Sequence, residues 1–425
     1  MDVAAFQALL APAGQAALQA AQALSPREVD FLAHLTTLSR RFPVELSRAA
    51  LEIAILRLEA AAKFPFADRL YLTRPALEQA TSYPVSRYRA ERFGGFPRTL
   101  DLGCSVGGDT LALARAGLQV TGVDLDPLRL AMAQANLGAL GLAQRAALVQ
   151  ADLRQALPFS LSAQSALFFD PARRAPDTRP GEGRGSSRRV FSVRDYQPPL
   201  EIVHGWLPRC SALAVKISPG VNLAELGGLL HGPPAAPEVE FISLAGELKE
   251  AVLWFGPLAT AARRATLLER NGDRHTLSGP PDDAPGSSLL PLAEPQAYLY
   301  EPDPAVLRAG LVGLLGRQLG AAQLDPDIAY LTSSQLQPTP FARHWTVEAW
   351  FPFSVKRLRL ALRERHVGRV TVKKRGSPLE PQQLIRDLRL QGSEERVVFL
   401  THLQGRPIVI LAYPAGASGS FPPGG

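Results

Sequence analysis

Hydrophobic residues along the chain form short unbroken runs that are separated by stretches with helical spacing. The runs lie near residues 98–102, 119–123, 147–151, 165–169, 211–217, 238–243 and 250–256. Such alternation is typical of buried strands in an α/β sheet. The last two runs are joined by the short connection from Ala245 to Lys249, which predicts an antiparallel hairpin. The pattern therefore predicts an α/β fold with a seven-stranded sheet.

Changes in this pattern divide the chain into five segments. Residues 1–95 have Ala- and Leu-rich helical spacing, residues 96–277 contain the predicted sheet, and residues 278–296 are rich in Gly, Pro and Ser. After this predicted linker, residues 297–338 form a small segment and residues 339–425 an α+β module. The module ends in a Gly/Pro/Ser-rich tail that is predicted to be flexible.

One strand–loop–helix–strand unit carries the main chemical signal. Its loop reads Asp-Leu-Gly-Cys-Ser-Val-Gly-Gly from Asp101 to Gly108, and small residues there let the backbone approach a ligand closely. Asp109, at the start of the following helix, is predicted to cap it. Asp124 ends the next apolar run, where a carboxylate can accept both hydroxyls of a ribose. The unit predicts a site for a cofactor that contains a nucleoside.

The acid that opens the loop separates two cofactor classes. A dinucleotide site must hold a pyrophosphate, which the Asp101 carboxylate would repel, whereas the amino and sulfonium groups of S-adenosylmethionine are cationic. The loop resembles the first motif of the class I S-adenosylmethionine-dependent methyltransferases, an acid followed by three alternating glycines. Ser105 replaces the middle glycine, and a serine fits there only if its backbone φ is ordinary.

This resemblance implies a Rossmann-like class I methyltransferase sheet that binds S-adenosyl-L-methionine. It implies that Asp101, Gly103, Ser105 and Gly107 hold the methionine part, Asp124 the ribose and Asp152 the adenine. Asp124, Asp152 and Asp170 follow three successive predicted strands, at the edge where open α/β sheets bind ligands. Chance rarely arranges three acids in this way, which favours a binding site.

The fourth predicted strand leads into Asp170-Pro171-Ala172-Arg173. Methyltransferases that act on amino nitrogens carry a similar motif, Asp/Asn-Pro-Pro-aromatic, whose side-chain oxygen and following carbonyl accept hydrogen bonds from the NH2 group. The resemblance therefore implies catalytic roles for Asp170, Pro171 and Arg173. The aromatic residue is missing here, and the Arg173 guanidinium can instead stack on a base or pair with a phosphate.

Two neighbouring features leave alternatives open. RNA uracil C5 methyltransferases have a similar Asp-Pro-Pro-Arg motif but need a cysteine after the next strand, where this chain has Ser218. A serine is a much weaker nucleophile, so the covalent mechanism is disfavoured. Lys216 lies within that apolar strand and can snorkel, pair with Asp170 or touch substrate. The basic stretch from Arg87 to Arg92 forms either a solvated helix face or a basic surface that faces substrate.

The C-terminal part contains three stretches with a recognisable pattern. They are Tyr-Glu-Pro-Asp-Pro at 300–304, Lys-Arg-Leu-Arg at 356–359 and Val-Gly-Arg-Val-Thr-Val-Lys-Lys-Arg-Gly at 367–376. With them, residues 297–413 resemble the THUMP-like domain and its small ferredoxin-like leader, found in bacterial methyltransferases of unsettled substrate. True THUMP domains bind structured RNA, so the resemblance suggests an RNA partner. The apolar stretch from Ala305 to Leu319 predicts one helix in the leader.

Basic residues are concentrated in two stretches. Residues 356–375 contain nine Lys or Arg against one acid, and residues 173–194 contain seven Arg against two acids, in a chain of net charge +7. Two basic patches suit a polyanion, although basic helices can also serve only solubility. The residues predicted to contact RNA are Arg173, Arg174, Arg188, Arg189, Lys373, Lys374 and Arg375.

Length and composition restrict the remaining classes of protein. The 425 residues are 46% hydrophobic, which is enough for several domains with their own cores. Two cysteines exclude a disulfide framework, and the seven histidines show no ligand spacing, so we expect no metal. No apolar run approaches the roughly eighteen residues of a membrane span. These observations predict a cytoplasmic enzyme.

Together, the motifs predict an S-adenosylmethionine-dependent methyltransferase that acts on a base nitrogen of RNA, either tRNA or rRNA. One alternative is a small-molecule or protein methyltransferase, for which the basic module would be incidental. Another is a non-catalytic RNA-binding protein that retains the cofactor fold. Methyl transfer that depends on RNA and weakens steeply with salt would separate these hypotheses.

Overall fold

The computed structural model describes residues 1–162, 164–172, 196–227, 236–286 and 288–414. It divides the chain into two compact units, the first made of residues 1–238 and 250–260 and the second of residues 239–249 and 261–425. The predicted basic stretch 173–194, with Arg173, Arg174, Arg188 and Arg189, lies outside the described residues, as does the predicted flexible tail from residue 415 onward.

Helices form the N-terminal part of the first unit, as predicted. They are α1 (Val3–Leu10), α2 (Pro12–Ala23), α3 (Phe31–Leu38), α4 (Val44–Ala60), α5 (Arg74–Gln79) and α6 (Tyr83–Arg92). Asp2 caps α1 by accepting a hydrogen bond of 2.8 Å from the Ala5 N–H, and α2, α5 and α6 each have a proline in the first turn. These are ordinary helix-start signals, which explains why the sequence predicts this region well.

A nine-stranded sheet follows. Its strands are β1 (Arg98–Leu102), β2 (Gln119–Asp124), β3 (Ala146–Gln150), β4 (Ala166–Phe169), β5 (Ala212–Ile217), β6 (Glu238–Leu244), β7 (Glu247–Phe255), β8 (Arg263–Leu268) and β9 (Arg274–Gly279), in the order β3-β2-β1-β4-β5-β7-β6-β8-β9. Strands β1 to β5 pair with one another in parallel, and β7 runs antiparallel to β5. Helices α7 (Gly108–Arg115), α8 (Pro127–Ala139) and α9 (Val203–Trp206) lie between strands.

All seven predicted strands are present, but the predicted strand count is wrong, because β8 and β9 extend the sheet. Strand β8 begins with Arg263 and Arg264, and β9 buries only Leu277. A strand that buries one side chain lacks the apolar run or alternation by which a sequence signals a strand. This applies to β9, whereas the last four residues of β8 are buried and its short apolar run was overlooked.

The second unit contains a seven-stranded sheet. Its elements are β10 (Tyr298–Pro302), α10 (Pro304–Ala309), α11 (Val312–Leu319), β11 (Ala322–Asp325), β12 (Ile328–Ser333), β13 (Ala342–Pro352), α12 (Val355–Glu364), β14 (Val367–Lys374), α13 (Pro381–Leu388), β15 (Glu394–Leu403) and β16 (Arg406–Ala412). The strand order is β11-β12-β10-β13-β16-β15-β14. The single helix predicted over 305–319 is instead two, because Gly310 takes a left-handed φ of 66° that ends the first.

Both faces of this sheet are buried along its central strands. Val398 and Leu400 of β15 pack with Leu358 and Leu362 of α12, whereas Phe399, between them, packs with aromatic residues of the sheet's other strands. Alternate side chains of a strand point to opposite faces, so one run of apolar residues supplies two cores.

Candidate active site

The loop between β1 and α7 has an unusual backbone. Gly103 and Gly107 each have a φ of 88°, and Ser105 between them has a φ of 51°. The expectation that Ser105 has ordinary backbone angles is therefore wrong: the loop keeps a left-handed conformation at this position despite the Cβ atom, at a cost of about 1–2 kcal/mol. A Cβ atom at Gly103 would lie 2.8 Å from the carbonyl oxygen of Asp170. The loop thus passes the end of β4 at a distance that only glycine allows.

Asp101, the second-last residue of β1, has a buried carboxyl group with one unsatisfied oxygen. Asp101 is 1% exposed, and its Oδ2 accepts a hydrogen bond of 2.5 Å from the Thr110 hydroxyl. Among the described residues, none donates to Oδ1. Burial raises the Asp101 pKa to about 8, and the negative charges of Asp109 and Asp170 act in the same direction. A cation bound beside this carboxylate would satisfy the oxygen and favour its ionised form.

Asp124 shapes the loop from the end of β2. Its Oδ2 accepts a hydrogen bond of 2.8 Å from the Ser105 N–H, and its Oδ1 accepts one of 2.9 Å from the Asp126 N–H. Asp152 instead forms an ion pair of 2.6 Å with the exposed Arg154, which lowers the Asp152 pKa. Asp124 is therefore joined directly to the predicted methionine loop, and the ribose and adenine roles of the two acids stay predictions.

Asp170 follows β4 and pairs with a buried lysine. The Nζ atom of Lys216, on β5, lies 2.7 Å from Oδ2 of Asp170, and the lysine side chain is 3% exposed. Of the three alternatives for Lys216, the structure shows the pair with Asp170. Ser218, just beyond β5, donates its backbone N–H to the Tyr196 hydroxyl at 2.7 Å. Pro171 is buried beside Asp170, and Arg173 lies outside the described residues.

A second buried cation was missed by the sequence analysis. Arg89 of α6 is 2% exposed, donates to Asp109 of α7, and lies 2.5 Å from Oε1 of Glu250 on β7. Its guanidinium also lies over the Phe168 ring of β4, 4.5 Å from the centroid. Asp109 therefore does not cap α7 as predicted, because its carboxylate binds Arg89 instead.

Neither interpretation of the stretch from Arg87 to Arg92 fits Arg89, which is neither solvated nor exposed to substrate. The available signal was its place on the helix: Val85, Tyr88 and Arg89 share one helix face, and all are buried. Burial opposes the charge of Arg89, but the carboxylates of Asp109, Glu250 and Asp170 raise its pKa above the ordinary value. Arg89 therefore stays a cation inside the fold.

The charges around this loop suit a cationic ligand. Four buried or half-buried carboxylates influence one another there, Asp101, Asp109, Asp170 and Glu250, and the buried cations beside them are Arg89 and Lys216. Carboxylates exceed cations even though the Asp101 proton offsets part of the difference. S-adenosylmethionine fits this site because its amino and sulfonium groups are positive and the Gly103 backbone leaves room for close approach.

Two possible features are not found in the part of the chain that the structure describes. No helix there combines the length and the apolar character needed to cross a membrane. Within the same residues, no group of three or more His, Cys, Asp or Glu side chains is arranged to hold a metal ion.

Family models match three parts of the chain. A methyltransferase domain matches residues 99–170, which include the loop, Asp124 and Asp170. A THUMP domain-like model matches residues 342–414, and a domain of unknown function matches residues 2–60. The methyltransferase match thus covers the site described above but leaves Arg89, Lys216 and Glu250 outside it.

Whole-chain comparisons agree with this assignment. A putative methyltransferase from Porphyromonas gingivalis, known from a crystal structure, has the same fold, with a TM-score of 0.76 and 22% identity over 95% of this chain and 98% of that one. Two strains of Mycobacterium tuberculosis encode an uncharacterized S-adenosylmethionine-dependent methyltransferase that is 36% identical over 339 residues, or 78% of this chain and 84% of the relative. The chain therefore belongs to the S-adenosylmethionine-dependent methyltransferases, and its cofactor is S-adenosylmethionine.

Proposed function

We propose that this chain is a cytoplasmic enzyme that methylates a base nitrogen of RNA, with Asp170 and Pro171 holding the acceptor. The observation that carries the acceptor site is the Asp170–Lys216 pair, 2.7 Å long, at the end of β4. The carbonyl of Asp170 also lies against Gly103 of the cofactor loop, as the Cβ distance of 2.8 Å shows. Acceptor and methyl donor would therefore meet at this strand end.

Lys216 restricts what Asp170 can do. Because the ammonium engages Oδ2, this carboxylate is held in one orientation, and among the described residues none donates to Oδ1, which can accept a hydrogen bond. Oδ1 and the Pro171 carbonyl oxygen then accept hydrogen bonds from the two N–H groups of an acceptor amine. The nitrogen lone pair is not used by these bonds and remains available for the methyl group. An acceptor with NH2 hydrogens fits this pair of oxygens better than one without donors.

Bound S-adenosylmethionine supplies an electrophilic methyl carbon, and transfer breaks the carbon–sulfur bond with its electron pair staying on sulfur. During transfer, Asp170 and the Pro171 carbonyl stabilise the positive charge that grows on the acceptor nitrogen. That nitrogen then releases one proton to water. Lys216 donates to Oδ2 of Asp170 at 2.7 Å, so this oxygen is already engaged and Oδ1 faces the acceptor.

The THUMP domain-like match and the positive charge of the chain support an RNA partner. The ion pairs of the structure, however, change the set of cations to which we assign RNA contacts. Lys373 lies 2.5 Å and Arg375 3.7 Å from carboxylate oxygens of Glu301, and Lys374 lies 2.8 Å from Glu380. Each of these predicted RNA contacts already has an acidic partner. Such pairs leave less charge for a polyanion than unpaired cations do.

The exposed face of α12 offers cations without such partners. Lys356, Arg357 and Arg363 are exposed, and within the described residues no carboxylate lies at ion-pair distance from them. Arg386 and Arg389, at the end of α13, are exposed as well, and Arg359 joins the two helices by donating to the Asp387 carbonyl. We define Lys356, Arg357, Arg363, Arg386 and Arg389 as the helical basic face, and assign phosphate contacts to it.

Methyl transfer from labelled S-adenosylmethionine to total RNA, from a strain lacking the gene, tests the proposal. We expect label in ribonuclease-sensitive material of one size class. Asp170→Asn should lower transfer by on the order of tenfold to a hundredfold without weakening cofactor binding, because Asp170 holds the acceptor rather than the cofactor and its charge opposes ionisation of Asp101.

Two results would contradict the proposal. Full activity of Asp170→Asn with normal cofactor binding would remove Asp170 from the acceptor site. Label in protein or small molecules, and none in RNA, would move the assignment to another substrate class. A control variant, Asp273→Asn, changes an exposed carboxylate in the turn between β8 and β9 and should leave transfer unchanged.

A further inference from the structure

We propose that Arg89 is a positioning residue of the cofactor site: from the N-terminal helical region, it holds the start of α7 and sets the charge around Asp101. The inference rests on the proposed role of Asp101 as a cofactor-binding residue. Arg89 precedes the matched methyltransferase domain, which begins at residue 99. The catalytic unit would then need its helical extension for cofactor binding as well as for folding.

The contacts of Arg89 join three elements, α7, β4 and β7, of which α7 follows the cofactor loop and β4 ends against it. Its two terminal nitrogens bind Asp109, in the first turn of α7, and Glu250, on β7. Its planar group also covers Phe168, two residues before Asp170. Only a guanidinium can bind two carboxylates and stack on a ring at once, because its donors lie in one plane.

Position and charge both act on Asp101. Thr110, which donates to Asp101, follows Asp109 directly, so the Arg89–Asp109 pair fixes the turn that carries this donor. The charged groups that influence Asp101 are Asp109 and Asp170, which oppose its ionisation, and Arg89, which favours it. Without Arg89, the carboxyl would be harder to ionise at neutral pH, and a cationic ligand would bind it less well.

The same helix offers a matched control residue. Arg92, one turn later, also pairs with a buried acid, since its Nη1 lies 2.8 Å from Oε1 of Glu238. It also lies over an aromatic ring, 4.0 Å from the Trp254 centroid. Neither Glu238 nor Trp254 contributes to the Asp101 environment described above. Arg92→Met therefore removes a similar buried cation from the fold, without changing the charges that we assign to the cofactor site.

The test measures the dissociation constant of S-adenosylmethionine for the full chain at pH 7 and pH 9, by titration calorimetry. We expect Arg89→Met to weaken binding by on the order of tenfold at pH 7 and by less at pH 9, which lies above the Asp101 pKa of about 8 in the wild type. The dissociation constant of each variant is divided by that of the wild type at the same pH, because this ratio cancels the effect of the cofactor's own amino group as it titrates. Arg89→Lys, which restores the charge but not the binding of two carboxylates by one planar group, should recover only part of the affinity at pH 7, and Arg92→Met should stay within about twofold of wild type at both pH values.

Several outcomes would overturn this proposal. A loss in Arg89→Met that is equal at the two pH values, or matched by Arg92→Met, would mean that Arg89 only stabilises the fold. Tighter binding in Arg89→Met would mean that net negative charge alone controls affinity. If Arg89→Met does not fold, the pH dependence of Arg89→Gln, which keeps two N–H donors but removes the charge, is compared with that of Arg92→Gln and decides in the same way. Failure of the wild type to bind S-adenosylmethionine would contradict the cofactor site itself, and is thus distinguishable.

Discussion

Gly103 is the point at which backbone geometry limits the cofactor loop most strictly. It has a φ of 88°, and a Cβ atom there would lie 2.8 Å from the Asp170 carbonyl oxygen. We expect Gly103→Ala to destabilise the protein by about 3 kcal/mol, from backbone strain of about 1–2 kcal/mol plus displacement of the end of β4. Cofactor affinity should fall at least tenfold, as measured by calorimetric titration.

A control for Gly103→Ala exists in the same unit. Gly117 has a φ of 93°, but nothing lies within 4 Å of the Cβ position. Gly117→Ala should therefore show only the strain of about 1–2 kcal/mol, with normal cofactor affinity. Equal effects of the two substitutions would mean that close approach at Gly103 is unimportant.

We expect the buried Asp101 carboxyl group to lower the free energy of unfolding at neutral and higher pH, although we assign it a role in cofactor binding. Its pKa is about 8 in the fold and about 4 in an unfolded chain, so the folded state binds more protons between these values. Below pH 4, the protonated carboxyl group makes its full contribution to the free energy of unfolding. This contribution is lost as pH rises towards 8, at about 1.4 kcal/mol per pH unit. Asparagine does not titrate, so the stability of Asp101→Asn does not fall with pH in this way. We expect it to be more stable than wild type in urea at pH 8, to lose this advantage towards pH 4, and to bind cofactor poorly.

The pH series is needed because a neutral substitution can stabilise for other reasons. A constant difference between Asp101→Asn and wild type from pH 4 to pH 8 would show that Asp101 is ionised in the fold throughout. Measurements are made without cofactor, since a bound cation would favour the ionised carboxylate and hide the effect.

Site residues differ in how well a sequence can reveal them. Asp124, Asp152 and Asp170 stand at the ends of apolar runs, so strand register alone predicted that they share one edge of the sheet. Arg89 had no such signal, because an arginine in a basic helix is ordinarily exposed and only the tertiary structure supplies its partners, Asp109 and Glu250. The φ of Ser105 was mispredicted for a related reason: the backbone is held by its bond to Asp124, a contact made across the fold.

At the level of elements, Asn136 joins the helical region to the cofactor loop. Its side chain exchanges two hydrogen bonds with the backbone of Tyr71, of 2.7 Å and 3.0 Å, and donates a third, of 2.9 Å, to the Val106 carbonyl. We expect Asn136→Ala to cost about 2–4 kcal/mol in the free energy of unfolding, because buried backbone groups would lose their partners. The urea midpoint measures this loss.

Asn271→Ala provides the comparison for Asn136→Ala. Asn271 is exposed, and its side chain accepts a hydrogen bond of 3.0 Å from the Asp273 N–H in a surface turn. Its replacement should cost less than about 0.5 kcal/mol. If Asn136→Ala were equally mild, the connection between the helical region and the loop would contribute little to stability.

Continuous apolar runs predicted their strands correctly, whereas a strand with one buried side chain and a helix break at a single glycine were missed. Strands β4 and β5 are buried throughout, and their apolar runs define them in the sequence. Strand β9 buries only Leu277, and the helix break at Gly310 depends on a single glycine in an otherwise helical stretch. One glycine is compatible with a helix or with its end, so the pattern could not decide.

At the scale of the whole molecule, net charge is a poor guide to which surface binds RNA. The basic stretch 356–375 holds nine cations, but several already form ion pairs with acids from other segments, such as Arg365 with Glu348 and Lys373 with Glu301. The cations of the helical basic face lack such partners in the described structure. Pairing within the fold, rather than the count of basic residues, identifies the surface on which a polyanion gains most.

Charge reversal of this face should weaken RNA binding. We expect Lys356→Glu, Arg357→Glu and Arg363→Glu together to lower affinity for total tRNA by at least about tenfold in filter binding. The plot of log affinity against log salt should become less steep by about two units, because about 0.7 to 0.9 counterions are released per phosphate contact. An equal change of charge on exposed residues of the helical region serves as the control: Arg27→Glu, Arg40→Glu and Arg48→Glu. If both triple variants lose the same affinity and the same salt dependence, the attraction depends on net charge alone and the helical basic face is not the binding surface.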